Sequence, residues 1–168
     1  MNMDTMNNAQ LAIYIKYVIR PRGVIHFSTD CGAFARECDK IGLNVLAVDL
    51  NTENDALSSH VVSRDWRQLP ICMEDLYPEP LNNIEEPLLI LVTKIPTDGI
   101  YFTVNNMLAN WTLHGNKLWI FNESMDRWIY DLSRMSYIVD VPATIHAIMN
   151  LGPELENNFN NVIFKRTY

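Results

Sequence analysis

The sequence has few of the residues that mark fibrous or disordered chains. It contains only six glycines and eight prolines in 168 residues, too few for a collagen-like or low-complexity protein. Hydrophobic residues make up 48% of the chain, which excludes wholesale disorder and is enough for a buried core. We therefore predict a single domain that spans residues 1–168.

Cysteine pairs, long apolar runs and a secretion signal are also lacking. The three cysteines, Cys31, Cys38 and Cys72, form no CxxC pair, and reduced thiols in a cytosolic setting account for them most simply. No stretch approaches the roughly 20 apolar residues of a membrane span. Residues 1–10 lack the basic start and apolar stretch of a secretory signal. We expect a soluble protein of the cytoplasm with no membrane partner.

Basic residues are outnumbered, with 13 Lys and Arg against 20 Asp and Glu and a formal net charge of −7. A field of this sign does not attract a polyanion, so a nucleic-acid partner would need a local basic patch. Asparagine is abundant, at 18 positions, as in proteins encoded by AT-rich genomes. From this composition we interpret the chain as viral, which would place it in the host cell cytoplasm.

Short apolar segments alternate with helical patterns along the chain. The strongest strand signal is the run 88–92 (LLILV), which lies between Pro87 and Pro96. Such alternation predicts an α/β fold, with a mostly parallel sheet that has helices on both faces and is abbreviated after the fifth strand. The predicted strands are 24–27, 45–48, 60–64, 88–92, 117–122, 136–141 and 162–165, and the predicted helices are 5–19, 33–41, 100–114 and 143–151.

Ligands bind beyond the carboxyl ends of the strands in such sheets. At the first strand end, Gly32 would let the backbone approach a ligand, and the following helix would direct its N-terminal amides there. Asp49 ends the second strand 17 residues later, near the spacing at which an acid takes a ribose hydroxyl. Because the loop 28–32 has one glycine and not three, it fails as a dinucleotide fingerprint. An ordinary turn with a capping aspartate is an equal alternative.

The segment 27–49 carries Phe27-Ser28, then Gly32-x-Phe34, then Val48-Asp49. This pattern resembles the cofactor-binding half of cytosine-5 DNA methyltransferases. In that family a strand ending in Phe-Ser or Phe-Cys leads to a Gly-x-Phe/Trp helix and then to a strand ending in an acid. The likeness extends loosely to Asp65 and to residues 119–123 (WIFNE), so it covers about residues 23–124.

The resemblance implies a Rossmann-like, methyltransferase-type sheet whose cofactor-binding half is 23–70, between an N-terminal helix at 5–19 and a remainder at 71–168. The implied cofactor is S-adenosylmethionine. Phe27 would stack on its adenine, and Asp49 would accept from both ribose hydroxyls. The residues implied to bind this cofactor are Phe27, Ser28, Asp30, Gly32, Asp49 and Asp65.

The catalytic motif of that family is missing. Its Pro-Cys dipeptide follows the fourth strand, where this sequence has 92–99 (VTKIPTDG). The Pro-Pro-aromatic motif of amino-methylating relatives is absent as well. The catalytic residues are therefore unknown, with Lys94 and Asp98 as candidates. One alternative resembles the Lys-Asp-Lys-Glu set of ribose 2′-O-methyltransferases. Its members here would be Lys16, Asp98, Lys117 and Glu123, although no known spacing relates these four positions.

The histidines do not indicate a metal site. They lie in separate segments without the spacing of metal ligands, whereas metal binding needs convergent side chains. We predict no metal, and we interpret His26, inside a predicted buried strand, as a core histidine.

Two functional hypotheses follow from the sequence. In the first, the chain is an S-adenosylmethionine-dependent methyltransferase that acts on a nucleic acid. In the second, it is a catalytically degenerate relative that serves as a binding or scaffold subunit with a protein partner. The cofactor motif favours retained ligand binding, and the missing catalytic motif favours the second hypothesis.

Overall fold

The computed structural model describes residues 7–28, 32–49, 61–63, 88–93, 117–121, 125–151 and 161–167. Seven strands in these ranges form one sheet: β1 (Val24–Ser28), β2 (Val45–Asp49), β3 (Val61–Ser63), β4 (Leu89–Val92), β5 (Lys117–Phe121), β6 (Tyr137–Val139) and β7 (Asn161–Arg166). Their order is β3-β2-β1-β4-β5-β7-β6. Strands β1 to β5 are parallel to one another. The α/β fold with a mostly parallel sheet is confirmed.

The sheet continues beyond the fifth strand, so the prediction of an abbreviated sheet was wrong. Strand β7 pairs antiparallel with β5 on one side and with β6 on the other. The last strand in sequence therefore lies between the two before it. Sequence patterns identified these strands to within two residues of their ends, but a strand's apolar pattern carries no information on its direction or neighbours.

The N-terminal helix consists of α1 (Asn8–Tyr14) and a π-helical segment, Ile15–Ile19. The Asn7 side chain caps α1 by accepting a hydrogen bond of 3.1 Å from the backbone N–H of Gln10, as expected for an N-cap asparagine. The π segment ends at Arg20, which has a φ of 54° and donates its backbone N–H to the carbonyl of Ile15 at 2.8 Å. Pro21 follows, and the helix cannot continue through it.

The helix α2 (Ala33–Ile41) ends at Gly42, as predicted. Gly42 has a φ of 71°, and its N–H donates to the carbonyl of Asp39 at 3.3 Å. The next N–H, of Leu43, donates to the carbonyl of Cys38 at 3.0 Å. This pair of bonds is the Schellman ending that a left-handed glycine permits, and it turns the chain directly into β2.

A hydrophobic core covers one face of the sheet, where α1, α2 and the later helix α4 (Val141–Leu151) pack. The strand positions on this face alternate with those on the other, as sheet geometry requires. Helix α3 (Met125–Ser133) buries Trp128 and Leu132 outside this core. Members of the core from the helices and strands include Leu11, Ile15, Phe34, Ala35, Ala147, Val24, Val45, Leu91, Trp119 and Ile163.

The start of α4 is attached to β7 by hydrogen bonds. Asp140 caps the helix, since its carboxylate accepts from the N–H of Ala143 at 3.2 Å. The Thr144 hydroxyl donates to the carbonyl of Asp140 at 2.8 Å and accepts from the N–H of Ile163 at 3.0 Å. This network satisfies backbone groups of β7 where β6 has ended. None of the helices in the described ranges has the length and apolarity to cross a membrane.

Candidate functional site

The carboxyl ends of β1 and β2 lie side by side. The two strands are parallel, and their register pairs Phe27 with Val48 and Ser28 with Asp49. Neighbouring strands are about 4.8 Å apart, so the last residue of β1 and the acid that ends β2 occupy one edge of the sheet. The tertiary structure thus brings together Ser28 and Asp49, two of the residues that the sequence singles out.

Gly32 precedes α2 in a backbone conformation that favours glycine. Its φ is 88°, in the left-handed region where a side chain costs roughly 1–2 kcal/mol. Its carbonyl accepts a hydrogen bond of 2.9 Å from the N–H of Arg36, so Gly32 belongs to the first turn of the helix. Because α2 follows β1 in the chain, its N-terminal amides lie near the edge at which β1 ends, as in anion-binding strand-loop-helix units.

Phe27 lies one residue before the end of β1. Its side chain is fully buried, with 0% exposed, and it points to the face of the sheet opposite His26 because successive strand residues alternate. Its backbone carbonyl accepts a hydrogen bond of 3.0 Å from the N–H of Thr93. The role in adenine stacking that the resemblance implies for Phe27 remains a prediction.

A buried polar pair connects this edge to the end of β4. The Nε2 atom of His26 lies 2.7 Å from Oγ1 of Thr93, and the two side chains are 1% and 2% exposed. The ring of Phe34, on α2, packs against His26 edge-to-face with 4.9 Å between ring centroids. His26 is therefore a core histidine, as the sequence indicated, and its hydrogen bond holds the first residue after β4 against β1.

Four predicted site residues lie outside the described residues. They are the cofactor-binding candidates Asp30 and Asp65 and the catalytic candidates Lys94 and Asp98. Glu123 is outside as well. The described part of the site consists of the ends of β1, β2 and β4 and the start of α2.

Three solved structures are similar over nearly the whole chain. The ribosomal protein L11 methylase from Lactobacillus delbrueckii subsp. bulgaricus has a TM-score of 0.54 and 13% identity, over 100% of this chain and 81% of that one. The 1,6-didemethyltoxoflavin-N1-methyltransferase of Burkholderia thailandensis has a TM-score of 0.53 and 12% identity, over 98% and 80%. A protein in the NADB-Rossmann superfamily from Streptococcus agalactiae has a TM-score of 0.53 and 14% identity, over 99% and 70%.

The chain has the fold of Rossmann-like methyltransferases. At identities this low the similarity shows the fold alone. The Burkholderia thailandensis structure contains bound S-adenosylhomocysteine and 1,6-didemethyltoxoflavin. No protein-family model and no curated protein sequence matches this chain.

Two members of the 2′-O-methyltransferase-like set, Asp98 and Glu123, lie outside the described residues, so that alternative stays a prediction. Lys117 is the first residue of β5 and pairs in register with Leu89, the first residue of β4. It therefore lies at the amino edge of the sheet, opposite the edge where Ser28 and Asp49 lie. The Lys16 ammonium donates a hydrogen bond to the carbonyl of Ile41, at the C-terminus of α2. Residue type carries no information on which end of a strand a residue occupies. The bounds of β5 alone place Lys117 at the amino edge.

Two features of this methyltransferase fold were not predicted from the sequence. The first is the contact of His26 with Thr93, although each is the polar residue of an otherwise apolar strand run, and that shared signal could have suggested a contact. The second is α3, whose apolar residues Met125, Trp128, Ile129 and Leu132 have the spacing of an amphipathic helix.

No cluster of three metal-ligating side chains occurs among the residues for which the structure gives positions. His26 and His146 lie in different parts of the fold: the first is buried in β1, and the second is exposed on α4. His146 bonds Tyr14 through Nδ1 at 2.7 Å.

Proposed function

We propose that this protein binds S-adenosylmethionine at the carboxyl edge of β1 and β2 and acts as a methyltransferase. The observation that carries the proposal is the register of Ser28 with Asp49 beside the positive-φ Gly32. A bound S-adenosylmethionine would supply an activated methyl group. Within this arrangement Asp49 would accept from the ribose hydroxyls, and the amides at the start of α2 would face the polar part of the cofactor.

The backbone at this edge fits a nucleotide-like ligand. In open parallel sheets, ligands bind beyond the carboxyl ends of the strands, and β1 lies between β2 and β4 in the sheet. The buried bond from His26 to Thr93 would hold the end of β4 in place beneath the site. Phe27, Asp30 and Asp65 complete the proposed cofactor-binding set on the strength of the sequence resemblance.

The methyl acceptor we propose is a nucleic acid. The support is the resemblance of residues 27–49 to cytosine-5 DNA methyltransferases, and the asparagine-rich composition supports a viral origin. Mixed-sequence DNA, RNA and a protein extract, each incubated with tritiated S-adenosylmethionine and the full chain, would distinguish acceptors. Label in the protein fraction alone would contradict a nucleic-acid acceptor.

Calorimetric titration with S-adenosylmethionine and S-adenosylhomocysteine tests the cofactor. Wild-type protein is expected to bind both. Asp49→Asn should weaken binding by about 1.5–3 kcal/mol, because the hydrogen bonds to a charged acceptor are lost. Asp126→Asn is the matched control, since Asp126 is exposed in the first turn of α3. Equal affinities for the wild type and Asp49→Asn would remove Asp49 from the site.

The second candidate function is that of a methyltransferase-fold subunit without catalytic activity. Two observations favour it. The Thr93 side chain, directly after β4, is buried against His26 and is not available to a substrate at the carboxyl edge. The Pro-Cys motif is also missing. S-adenosylhomocysteine binding without methyl transfer to any acceptor fraction would support this function. Methyl transfer that Asp49→Asn abolishes would exclude it.

A further inference from the structure

A cavity lies on the core face that α1 and α4 cover, near the amino edge of β5. Its volume is about 140 Å³. Apolar side chains from three parts of the fold line it: Val18 and Ile19 from the π segment, Ala143 from α4 and Ile163 from β7. The carboxyl edge at which the cofactor is proposed to bind is at the other end of the strands. The cavity is thus independent of the proposed cofactor site.

Three polar side chains complete the lining: Tyr14, Lys117 and His146. The Tyr14 hydroxyl and Nδ1 of His146 are 2.7 Å apart. Lys117 is partly buried, and no carboxylate pairs with it among the residues that the structure describes. Its register partner on β7 is Lys165, so two lysines are paired across these strands in a chain whose net charge is −7.

The π segment shapes one wall of the cavity. A π-helical turn inserts an extra residue into the helix, and such turns are frequent at functional sites. Here the segment runs from Ile15 to Ile19 and is closed by the bond from Arg20 to Ile15. Val18 and Ile19, which line the cavity, are the last two residues of this segment.

We propose that this cavity binds a small organic carboxylate whose apolar part is a single ring or a short branched chain. An apolar cavity of about 150 Å³ holds one benzene molecule, so a volume of about 140 Å³ suits one ring. The carboxylate would pair with the Lys117 ammonium, which lacks a described acidic partner, and the ring would contact Val18, Ile19 and Ile163. Inorganic anions offer no apolar surface for those walls.

Tyr14 and His146 would complete recognition of the carboxylate. Burial raises the pKa of the Tyr14 phenol, so its hydroxyl keeps its proton at neutral pH and can donate a hydrogen bond. The exposed His146 lines the cavity, its Nδ1 contacts the Tyr14 hydroxyl, and both of its ring nitrogens lie within 3.4 Å of the Asn150 amide nitrogen. A carboxylate buried without such partners would be costly to desolvate.

The test uses 4-fluorobenzoate as the probe and the full chain as the receptor, followed by fluorine NMR and calorimetry. Saturable binding is expected. 4-Fluorobenzamide, which has the same ring without the charge, should bind at least tenfold more weakly, and inorganic phosphate should not compete. Absence of saturable 4-fluorobenzoate binding would overturn the proposal, as would equal affinities for 4-fluorobenzoate and 4-fluorobenzamide.

Three variants distinguish the cavity from general surface charge. Lys117→Gln should weaken 4-fluorobenzoate binding at least tenfold, whereas Lys165→Gln, at the exposed register partner, should change it less than twofold. Ala143→Leu should abolish binding by filling the cavity, and leucine preserves the helical propensity of α4. Equal losses in the two lysine variants would assign binding to surface charge and refute the site. S-adenosylhomocysteine affinity should not change in Lys117→Gln.

Discussion

His26 and Thr93 are 67 residues apart in the sequence, and their side chains meet at 2.7 Å in the buried interior, between Nε2 and Oγ1. The bond joins the middle of β1 to the residue that follows β4. These two strands are adjacent and parallel, with His26 in register with Leu91. The pair therefore links β1, at the proposed cofactor site, to β4. In the cytosine-5 DNA methyltransferases that residues 27–49 resemble, the catalytic residue follows the fourth strand.

Thr93→Val should lower the free energy of unfolding by about 1–3 kcal/mol, because it removes one partner of a buried hydrogen bond and leaves the other polar group in the core. Urea denaturation followed by tryptophan fluorescence measures the change. Thr93→Ser retains the hydroxyl and should be clearly more stable than Thr93→Val. Equal stability of the valine and serine variants would mean that the bond does not stabilise the fold.

Tyr14 should make stability fall at alkaline pH. Burial raises the pKa of the Tyr14 phenol in the folded protein above its ordinary value of 10.0, so the unfolded chain loses this proton first. The resulting stabilisation is fully present below pH 10 and is lost as the pH rises through the folded pKa. The difference in unfolding free energy between the wild type and Tyr14→Phe should therefore shrink above pH 10. A difference that stays constant from pH 8 to 11 would contradict the raised pKa.

Gly32→Ala and Gly42→Ala form a matched pair. Both glycines have positive φ, 88° and 71°, so an alanine at either position should cost about 1–2 kcal/mol of stability. Among the described residues, a Cβ at Gly42 would meet the Lys16 ammonium nitrogen alone, at an ordinary contact distance of 3.7 Å. Only Gly32→Ala should also weaken S-adenosylhomocysteine binding, because only Gly32 lies in the proposed site. Equal affinities in the two variants would make Gly32 purely structural.

The chain is not expected to methylate cytosine at carbon 5. That reaction needs a nucleophile that adds to the ring, and a thiolate attacks strongly near neutral pH. The sequence has no cysteine in residues 92–99 after β4, and Cys38 is fully buried in α2. The assay combines tritiated S-adenosylmethionine, mixed-sequence DNA and a cytosine analogue that traps thiol adducts. Labelled 5-methylcytosine together with a trapped protein–DNA adduct would contradict this expectation.

The strands and the α/β class could be predicted because their signals are local. Runs such as 88–92 are apolar throughout, since a strand covered on both faces buries every side chain. Leu89 to Val92 are all buried, as that pattern requires. The end of α2 at Gly42 is also a local signal, because the residue that takes the left-handed backbone conformation after a helix is most often glycine.

The candidate site was only partly predictable. Ser28 and Asp49 could be placed together because successive strands of an α/β unit have a strong tendency to be neighbours. Lys117 was grouped with Asp98 and Glu123 by residue type alone, and the strand bounds place it at the amino edge of β5. The contact from His26 to Thr93 joins residues that are 67 positions apart in the sequence. It could not be predicted, because no local sequence pattern determines the register between β1 and β4.

The sequence by itself determined which described segments are strands, where α2 ends and which residues stand at the end of each predicted strand. These properties follow from side-chain size, polarity and backbone freedom over a few neighbouring residues. The tertiary structure alone decided that β7 inserts antiparallel between β5 and β6, that Lys117 faces the cavity beneath α4, and that Tyr14 meets His146, 132 residues away. Such pairings arise from the packing of whole elements against one another, in which many distant side chains compete for the same buried surface.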